Sequence, residues 1–434
     1  MKDKLKEFII NFHSRELPAP YAREFSLPLL SPNINKVIVL IGMRRSGKTW
    51  CTYQIMREYL NQGVPKEQVI HINFEDDRLT GFAVSDFQLI LDAYFELYPK
   101  TLESQTLYFF FDEIHEIENW EKFIRRLNEQ TSYKIFITGS SAKMLSKEIA
   151  TNLRGRTLTR EVFPLSFREY LNYKNVKLDS AYSTKTLATI KHHLNRFLEQ
   201  GGFPETLNME SDLHQELLQN YMDVVIYKDI VERHKITNIV ALKQMQITCI
   251  KNSATKFSVS KIFRSLKSRG LSIGKNAVYD FLEYFEDAYA FFPISAYHFS
   301  HNKSQQSPKK IYPVDQGLIT AYTLKPEFEQ ASRLETAVFL HLRRQSIHIY
   351  YYQTSKGTEV DFLMQDSKGS ISLYQVTVDM KDYDTREREL SALKSAMIDL
   401  DLESSTIVTL DHEETIEVNE GIIYCVPVWK FLIT

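Results

Sequence analysis

The chain reads as an α/β protein whose N-terminal part is a parallel sheet with helices on both faces, and three observations carry that reading. Short apolar runs alternate with helical stretches between residue 36 and about 165, the pattern of strands joined by crossover helices. Within that pattern, Gly42-Met43-Arg44-Arg45-Ser46-Gly47-Lys48-Thr49 spells a complete G-x-x-x-x-G-K-[ST] phosphate-binding loop between a strand-like and a helix-like segment. The third observation is length. At 434 residues the chain exceeds what one hydrophobic core organises, and three domains are expected at 1–205, 206–328 and 329–434.

The elements follow from local pattern. Residues 1–35 suggest a leading helix and a proline-bearing approach (Pro18, Pro20, Pro28, Pro32). Strands are expected at Val37–Ile41, Val69–Phe74, Leu107–Phe111 and Lys134–Thr138, with a helix from Trp50 to Leu60 after the loop. Residues 166–235 read as amphipathic helix broken by Gly201-Gly202-Phe203-Pro204. Three helices follow, then strands at Ala290–Tyr297 and Lys310–Val314 around a polar loop. A further helix begins after Ala331. Strands at His348–Tyr352, Val360–Met364 and Ile371–Thr377, a helix at Arg386–Asp399 and strands near 406–410 and 422–426 complete the chain.

Composition narrows the setting. Charged residues make up 25% and hydrophobic ones 43%, an ordinary globular balance, and a net charge of −2 gives no overall basic signal for nucleic acid. Cys51, Cys249 and Cys425 lie far apart in apolar surroundings and fit neither a disulfide framework nor a zinc site. No signal peptide is expected, and no apolar stretch approaches the ~20 residues needed to span a bilayer. The expectation is a cytoplasmic protein with no membrane partner.

The phosphate loop carries the chemistry. Its glycines let backbone N–H groups turn inward around a β-phosphate, and the following helix N-terminus adds partial positive charge. Residues 42–49 form the expected nucleotide cradle: Lys48 reaches the β- and γ-phosphates, and the Thr49 hydroxyl completes a Mg²⁺ shell. Arg44 and Arg45 can touch phosphate or a partner. The buried strand Leu107–Phe111 runs into Asp112-Glu113, where such a fold needs an acidic partner for Mg²⁺ (Asp112) and a base for the attacking water (Glu113).

A polar residue after the next strand could orient that water: Ser140 first, Thr138 second, with a plain helix cap as the competing reading. Asn73 could hold Glu113 in an unproductive pose. Arg154 and Arg156, in Leu153-Arg154-Gly155-Arg156, are candidates for a cation at the γ-phosphate, within the chain or from a neighbouring copy; surface ion pairing is the alternative.

Gly-Met-Arg-Arg-Ser-Gly-Lys-Thr, Phe-Asp-Glu-Ile-His, Ile-Thr-Gly-Ser-Ser, Leu-Arg-Gly-Arg and Phe-Pro-Leu-Ser-Phe-Arg-Glu occur in the order seen in one group of prokaryotic AAA+-type P-loop ATPases, which the chain resembles over nearly its whole length. Members also carry a C-terminal domain of unknown function. The resemblance implies ATP binding and hydrolysis without naming a substrate.

Two helices around Gly270 followed by two strands outline a winged-helix-like domain. Lys256, Lys261, Arg264, Lys267, Arg269 and Lys275 could meet DNA phosphates, whereas Glu283, Glu286 and Asp287 on the second helix would repel them. A lid or protein contact is the other reading. In the last domain, Glu335 on a helix, Glu359-Val360-Asp361 on a strand and Gln375-Val376-Thr377 on the next resemble the PD-(D/E)xK, restriction-endonuclease-like fold. By that resemblance Asp361 matches the metal-binding Asp and Glu335 the helical acid. Gln375 stands where Glu is usual and Thr377 where Lys is needed, and Lys381 is too far along to substitute. A binding or assembly module is expected, not an active nuclease.

The expected function is Mg²⁺-dependent ATP hydrolysis coupled to a DNA or protein partner, with homo-oligomer formation left open. The alternatives are an ATP-regulated metal-dependent DNA nuclease and a non-hydrolysing ATP-binding scaffold.

Overall fold

Helix α1 (Lys2–Ser14) buries Leu5, Ile9 and Phe12 at i, i+4 and i+7, one face of a helix. Phe12 enters a core with Ile38, Leu40, Cys51, Ile55 and Phe136. The computed structural model describes residues 1–19, 21–24, 36–99, 106–130, 133–139, 153–178, 182–298, 307–323 and 329–434. Within it the chain packs as two units, Met1–Phe163 and Pro164–Thr434.

The first unit alternates strand and helix: β1 (Val37–Ile41), α2 (Lys48–Asn61), β2 (Val69–Asn73), α3 (Phe87–Leu97), β3 (Tyr108–Asp112), α4 (Trp120–Gln130), β4 (Lys134–Gly139) and β5 (Thr157–Glu161). All pairings are parallel, in the order β2-β3-β4-β1-β5. Strands β1 and β4 are buried throughout, which is why they read as unbroken apolar runs. Stacked Phe110 and Phe136, with ring centroids 4.5 Å apart, lock β3 against β4. Since β4 lies between β1 and β3, the phosphate loop and Asp112-Glu113 leave the same edge of the sheet on either side of Gly139, where α/β sheets bind ligands. Strand β5 was not expected. It is an edge strand of half-buried Thr157-Leu158-Thr159-Arg160-Glu161, too polar to stand out by pattern.

The second unit opens with α5 (Phe167–Tyr173), α6 (Thr184–Gln200) and α7 (Ser211–Val224), which runs on through a wider π turn at Val225–Val231. The expected break falls at Gly201, φ 80°. Next come α8 (Ile239–Lys251), β6 (Lys256–Phe257), α9 (Val259–Ser268), α10 (Lys275–Asp287), β7 (Phe291–Ile294) and β8 (Lys309–Pro313), with an antiparallel sheet in the order β6-β8-β7. The strand expected at Ala290–Tyr297 is shorter, and the next begins one residue early.

Helices α11 (Gly317–Ala321) and α12 (Gln330–Gln345) lead into β9 (Ile349–Gln353), β10 (Glu359–Gln365) and β11 (Ile371–Thr377). Then come α13 (Tyr383–Leu400), β12 (Ser404–Thr409), β13 (Glu414–Val418), β14 (Gly421–Pro427) and α14 (Val428–Phe431). The six strands form one mixed sheet, β13-β14-β12-β11-β10-β9, packed against α13 through Leu390, Leu393 and Met397. No helix among the described residues is long and apolar enough to cross a membrane.

Candidate nucleotide site

β1 ends at Gly42, whose φ of +153° and whose 2.2 Å approach of a would-be Cβ to the Val162 carbonyl admit only glycine. The loop turns through Arg45 at φ 68° and Gly47 at φ 97°, and Gly47 caps α2 without a side-chain hydrogen bond. Gly47 has no side chain with which to cap the first amides of α2, a setting in which a helix start can receive an anion. Ser46 is fully buried, and its Oγ has no hydrogen-bond partner among the described residues. Met43 is buried, Arg45 is exposed, and Arg44 pairs with Glu75 at 2.9 Å.

Lys48 is 4% exposed; its Nζ donates to the Gly42 and Met43 carbonyls, each at 3.2 Å, and stands 3.9 Å from Glu113 Oε1. Thr49 Oγ1 donates to Asp112 Oδ2 at 2.8 Å, so the first turn of α2 and the end of β3 meet. Burial raises the Asp112 pKa, and the neighbouring charge of Glu113 adds to it, while bonds from Thr138 and Thr49 oppose the rise. Glu113 sits at φ 50°, an uncommon backbone for a side chain of its size, which swings it out of the strand direction.

Thr138, the second choice for a polar residue here, is buried and donates to Asp112 Oδ1 while accepting the Glu113 N–H at 3.0 Å. Ser140, the first choice, lies outside the described residues. Asn73 Oδ1 accepts the Glu75 N–H at 3.0 Å. His115, to which the sequence reading gave no part, is buried with Nδ1 3.3 Å from Glu113 Oε2. Arg154 is exposed at φ 51°, and Arg156 forms a surface ion pair with Glu129.

In the second unit the nuclease-like residues do gather, but around a lysine. Lys310 of β8, 4% exposed, donates to Asp361 at 2.8 Å and Glu335 at 3.1 Å and stands 3.0 Å from Glu359. Tyr312 donates to Glu335 at 2.7 Å, and the Asp361 N–H reaches Gln375 at 3.1 Å. Burial alone would lower the Lys310 pKa; Asp361, Glu335 and Glu359 override it and raise the pKa well above the ordinary value. Thr377 donates to the Asp379 carbonyl at 3.3 Å, and the Lys381 N–H to the Asp379 carboxylate at 2.8 Å. Among the described residues, no group of three or more His, Cys, Asp or Glu is arranged to hold a metal ion.

Residues 34–171 match the family model described as AAA domain, and residues 191–328 and 332–431 match two domains of unknown function, DUF8612 and DUF4143. The chain is 37% identical over 410 residues to the uncharacterized protein MJ1544 of Methanocaldococcus jannaschii, covering 92% of this chain and 89% of that one. It is 30% identical to an uncharacterized protein of Haemophilus influenzae, over 75% of this chain and 78% of that one. Among solved structures it is similar to the Walker-type ATPase PABY2304 of Pyrococcus abyssi, with 14% identity, coverage of 71% and 99%, and a TM-score of 0.41. The chain belongs to one family with MJ1544, and its residues 34–171 match the AAA domain model.

Proposed function

We propose that the first unit binds ATP with Mg²⁺ and hydrolyses the β–γ phosphoanhydride. One observation carries this: at the carboxyl edge of the sheet, a glycine-built loop, a buried lysine that donates to two loop carbonyls at 3.2 Å and stands 3.9 Å from Glu113, and a Thr49–Asp112 contact of 2.8 Å converge. The residues fit a nucleotide phosphate and a magnesium ion. Among the described residues the buried Ser46 Oγ lacks a partner, and α2 begins at a glycine that cannot cap it, so a phosphate would satisfy these polar groups.

In this reading, backbone N–H groups of residues 42–49 face the phosphates, and Lys48 swings from its own loop to the β- and γ-oxygens. Thr49 and Asp112 hold the metal ion, Asp112 mostly through water. When bound, that ion would offset the negative charge of the phosphates. Glu113 takes the proton of the attacking water, with His115 beside it. Arg156, in an exposed pair worth little, can exchange Glu129 for a phosphate on a neighbouring copy, and Arg154 is the second candidate. Release of phosphate should need Mg²⁺. Glu113→Gln should bind ATP without turning it over, a loss of ~10²–10⁴ in rate; equal turnover in wild type and this variant would overturn the reading.

In the same proposal the chain divides into three domains at 205/206 and 328/329. The helix–strand–helix–helix–hairpin order of residues 239–313 supports a winged-helix-like reading, and the β9–β11 meander followed by α13 and a parallel β12 supports a nuclease-like one. Both would serve as binding modules. Exposed Asp280 and Glu283 disfavour α10 against DNA, which leaves Lys261, Arg264 and Lys267 on α9 for phosphate contact. Lys310 weighs against cleavage, since it already occupies the charge that a metal would need.

A further inference from the structure

Arg23 lies in the approach to β1, a stretch with no role in the reading above. Its backbone is clamped from both sides by one side chain of α2: its N–H donates to Gln54 Oε1 at 2.8 Å, and its carbonyl accepts from Gln54 Nε2 at 3.2 Å. Its guanidinium then spans two carbonyls, Ser46 at 3.0 Å and Phe163 at 2.7 Å. The first belongs to the phosphate loop and the second to the segment leaving β5.

We infer that Arg23 is a positioning residue for the phosphate loop, one that aims the Gly47 N–H at the bound anion. The Ser46 carbonyl and the Gly47 N–H share one peptide plane and point opposite ways across a trans bond. Tying the carbonyl to a fixed guanidinium therefore sets the direction of the N–H. Gly47 is needed for the same contact. At its φ of +97° a Cβ would stand 2.8 Å from Arg23 Nη1, so a side chain there would push the arginine off the loop. A guanidinium suits the task because its planar fork reaches two acceptors at once and a charged donor strengthens both bonds. The first unit thus carries a strut from α2 through Arg23 to the turn that holds phosphate, anchored at Phe163.

This rests on the nucleotide reading, and titration of the full chain with ATP and with ADP, without turnover, tests the two separately. Arg23→Met should weaken both nucleotides roughly tenfold, the scale of one lost charge-assisted hydrogen bond. The nucleotide-free melting temperature should barely move. Arg23→Lys keeps the charge but not the fork, so it should fall between wild type and Arg23→Met. A purely structural role would do the reverse, lowering the melting temperature while affinity holds. Wild-type affinity in Arg23→Met overturns the inference, and if that variant does not fold, wild-type affinity in Arg23→Lys does so. Lys48→Ala runs alongside: if wild type binds no better than Lys48→Ala, the nucleotide reading falls and takes this inference with it. If wild type binds and the Arg23 variants match it, only the inference falls.

Discussion

Two buried lysines divide this molecule into a site left open and a site already closed. Lys48 in the first unit is 4% exposed; its ammonium meets two carbonyls of its own loop at 3.2 Å and a carboxylate at 3.9 Å. Lys310 in the second unit is buried as deeply, with three carboxylates at 2.8–3.1 Å. Taking an ammonium out of water is costly unless close charges replace the water. Lys310 has that replacement and is a folding element. Lys48 has a poor one, beside a buried Ser46 Oγ with no partner among the described residues, and under the proposed function a bound phosphate would complete the set. Charge satisfaction separates the two where residue type and burial do not.

The same substitution in both places breaks or sharpens that contrast. Lys48→Met should lower ATP turnover on the order of 10³-fold, the loss expected for one preorganised donor at developing charge, and leave the melting temperature unchanged or raised. Lys310→Met should leave turnover per folded molecule unchanged. It strands Asp361, Glu335 and Glu359 around a methyl group, at about 3–5 kcal/mol in urea unfolding. If the stability loss appeared at Lys48 and the turnover loss at Lys310, the contrast would be inverted.

Asp315 offers a third case, a buried carboxylate with backbone N–H partners at Gly202 (2.7 Å) and Gly317 (2.8 Å). Burial pushes its pKa to about 6, against 3.8 ordinarily, although those N–H groups pull the other way. A folded-state pKa above the unfolded one means the folded chain holds the proton more tightly. Its stabilising contribution is complete below pH ~4 and is lost as pH rises through about 6, by up to ~3 kcal/mol. Asp315→Asn cannot titrate. Between pH 4 and pH 8 the stability difference between the two proteins should shift toward the variant by about that amount, and a difference that stays constant with pH would refute the burial argument.

What could be read from the sequence was what depends on neighbours along the chain. The loop at 42–49 was legible because its glycines and lysine are fixed by local backbone needs, and β3 because a strand buried from Phe109 onward must be apolar until its acids emerge. Lys310 was not: its partners Glu335 and Asp361 lie 25 and 51 residues away, and in sequence it is the second of two lysines beside a polar loop. Arg23 meets Ser46 and Phe163 across 23 and 140 residues. Strands β5 and β13 do not stand out in the sequence because both are edge strands whose residues are half-buried or exposed, which dilutes the apolar signal. The missing lysine at Thr377 was legible, but that another strand supplies an ammonium to the same carboxylates needed the fold.

Thr138 gives the smallest and most discriminating test, because it touches both acids of the open site. Its hydroxyl donates to Asp112 Oδ1 and accepts the Glu113 N–H at 3.0 Å. Thr138→Val keeps the shape and removes both bonds, leaving buried polar groups without that partner at about 1–3 kcal/mol. The electrostatic consequence has a definite sign. The Thr138 bond holds the Asp112 pKa down against burial and Glu113, so its loss raises that pKa further and protonates Asp112 at higher pH. The acid limb of the turnover–pH profile should move upward, and more Mg²⁺ should be needed for half-maximal turnover. Thr138→Ser keeps a hydroxyl and should sit near wild type. A Thr138→Val variant with reduced stability but an unmoved acid limb would make this hydroxyl a packing feature of β4, with the Asp112 pKa held down by Thr49 and Lys48.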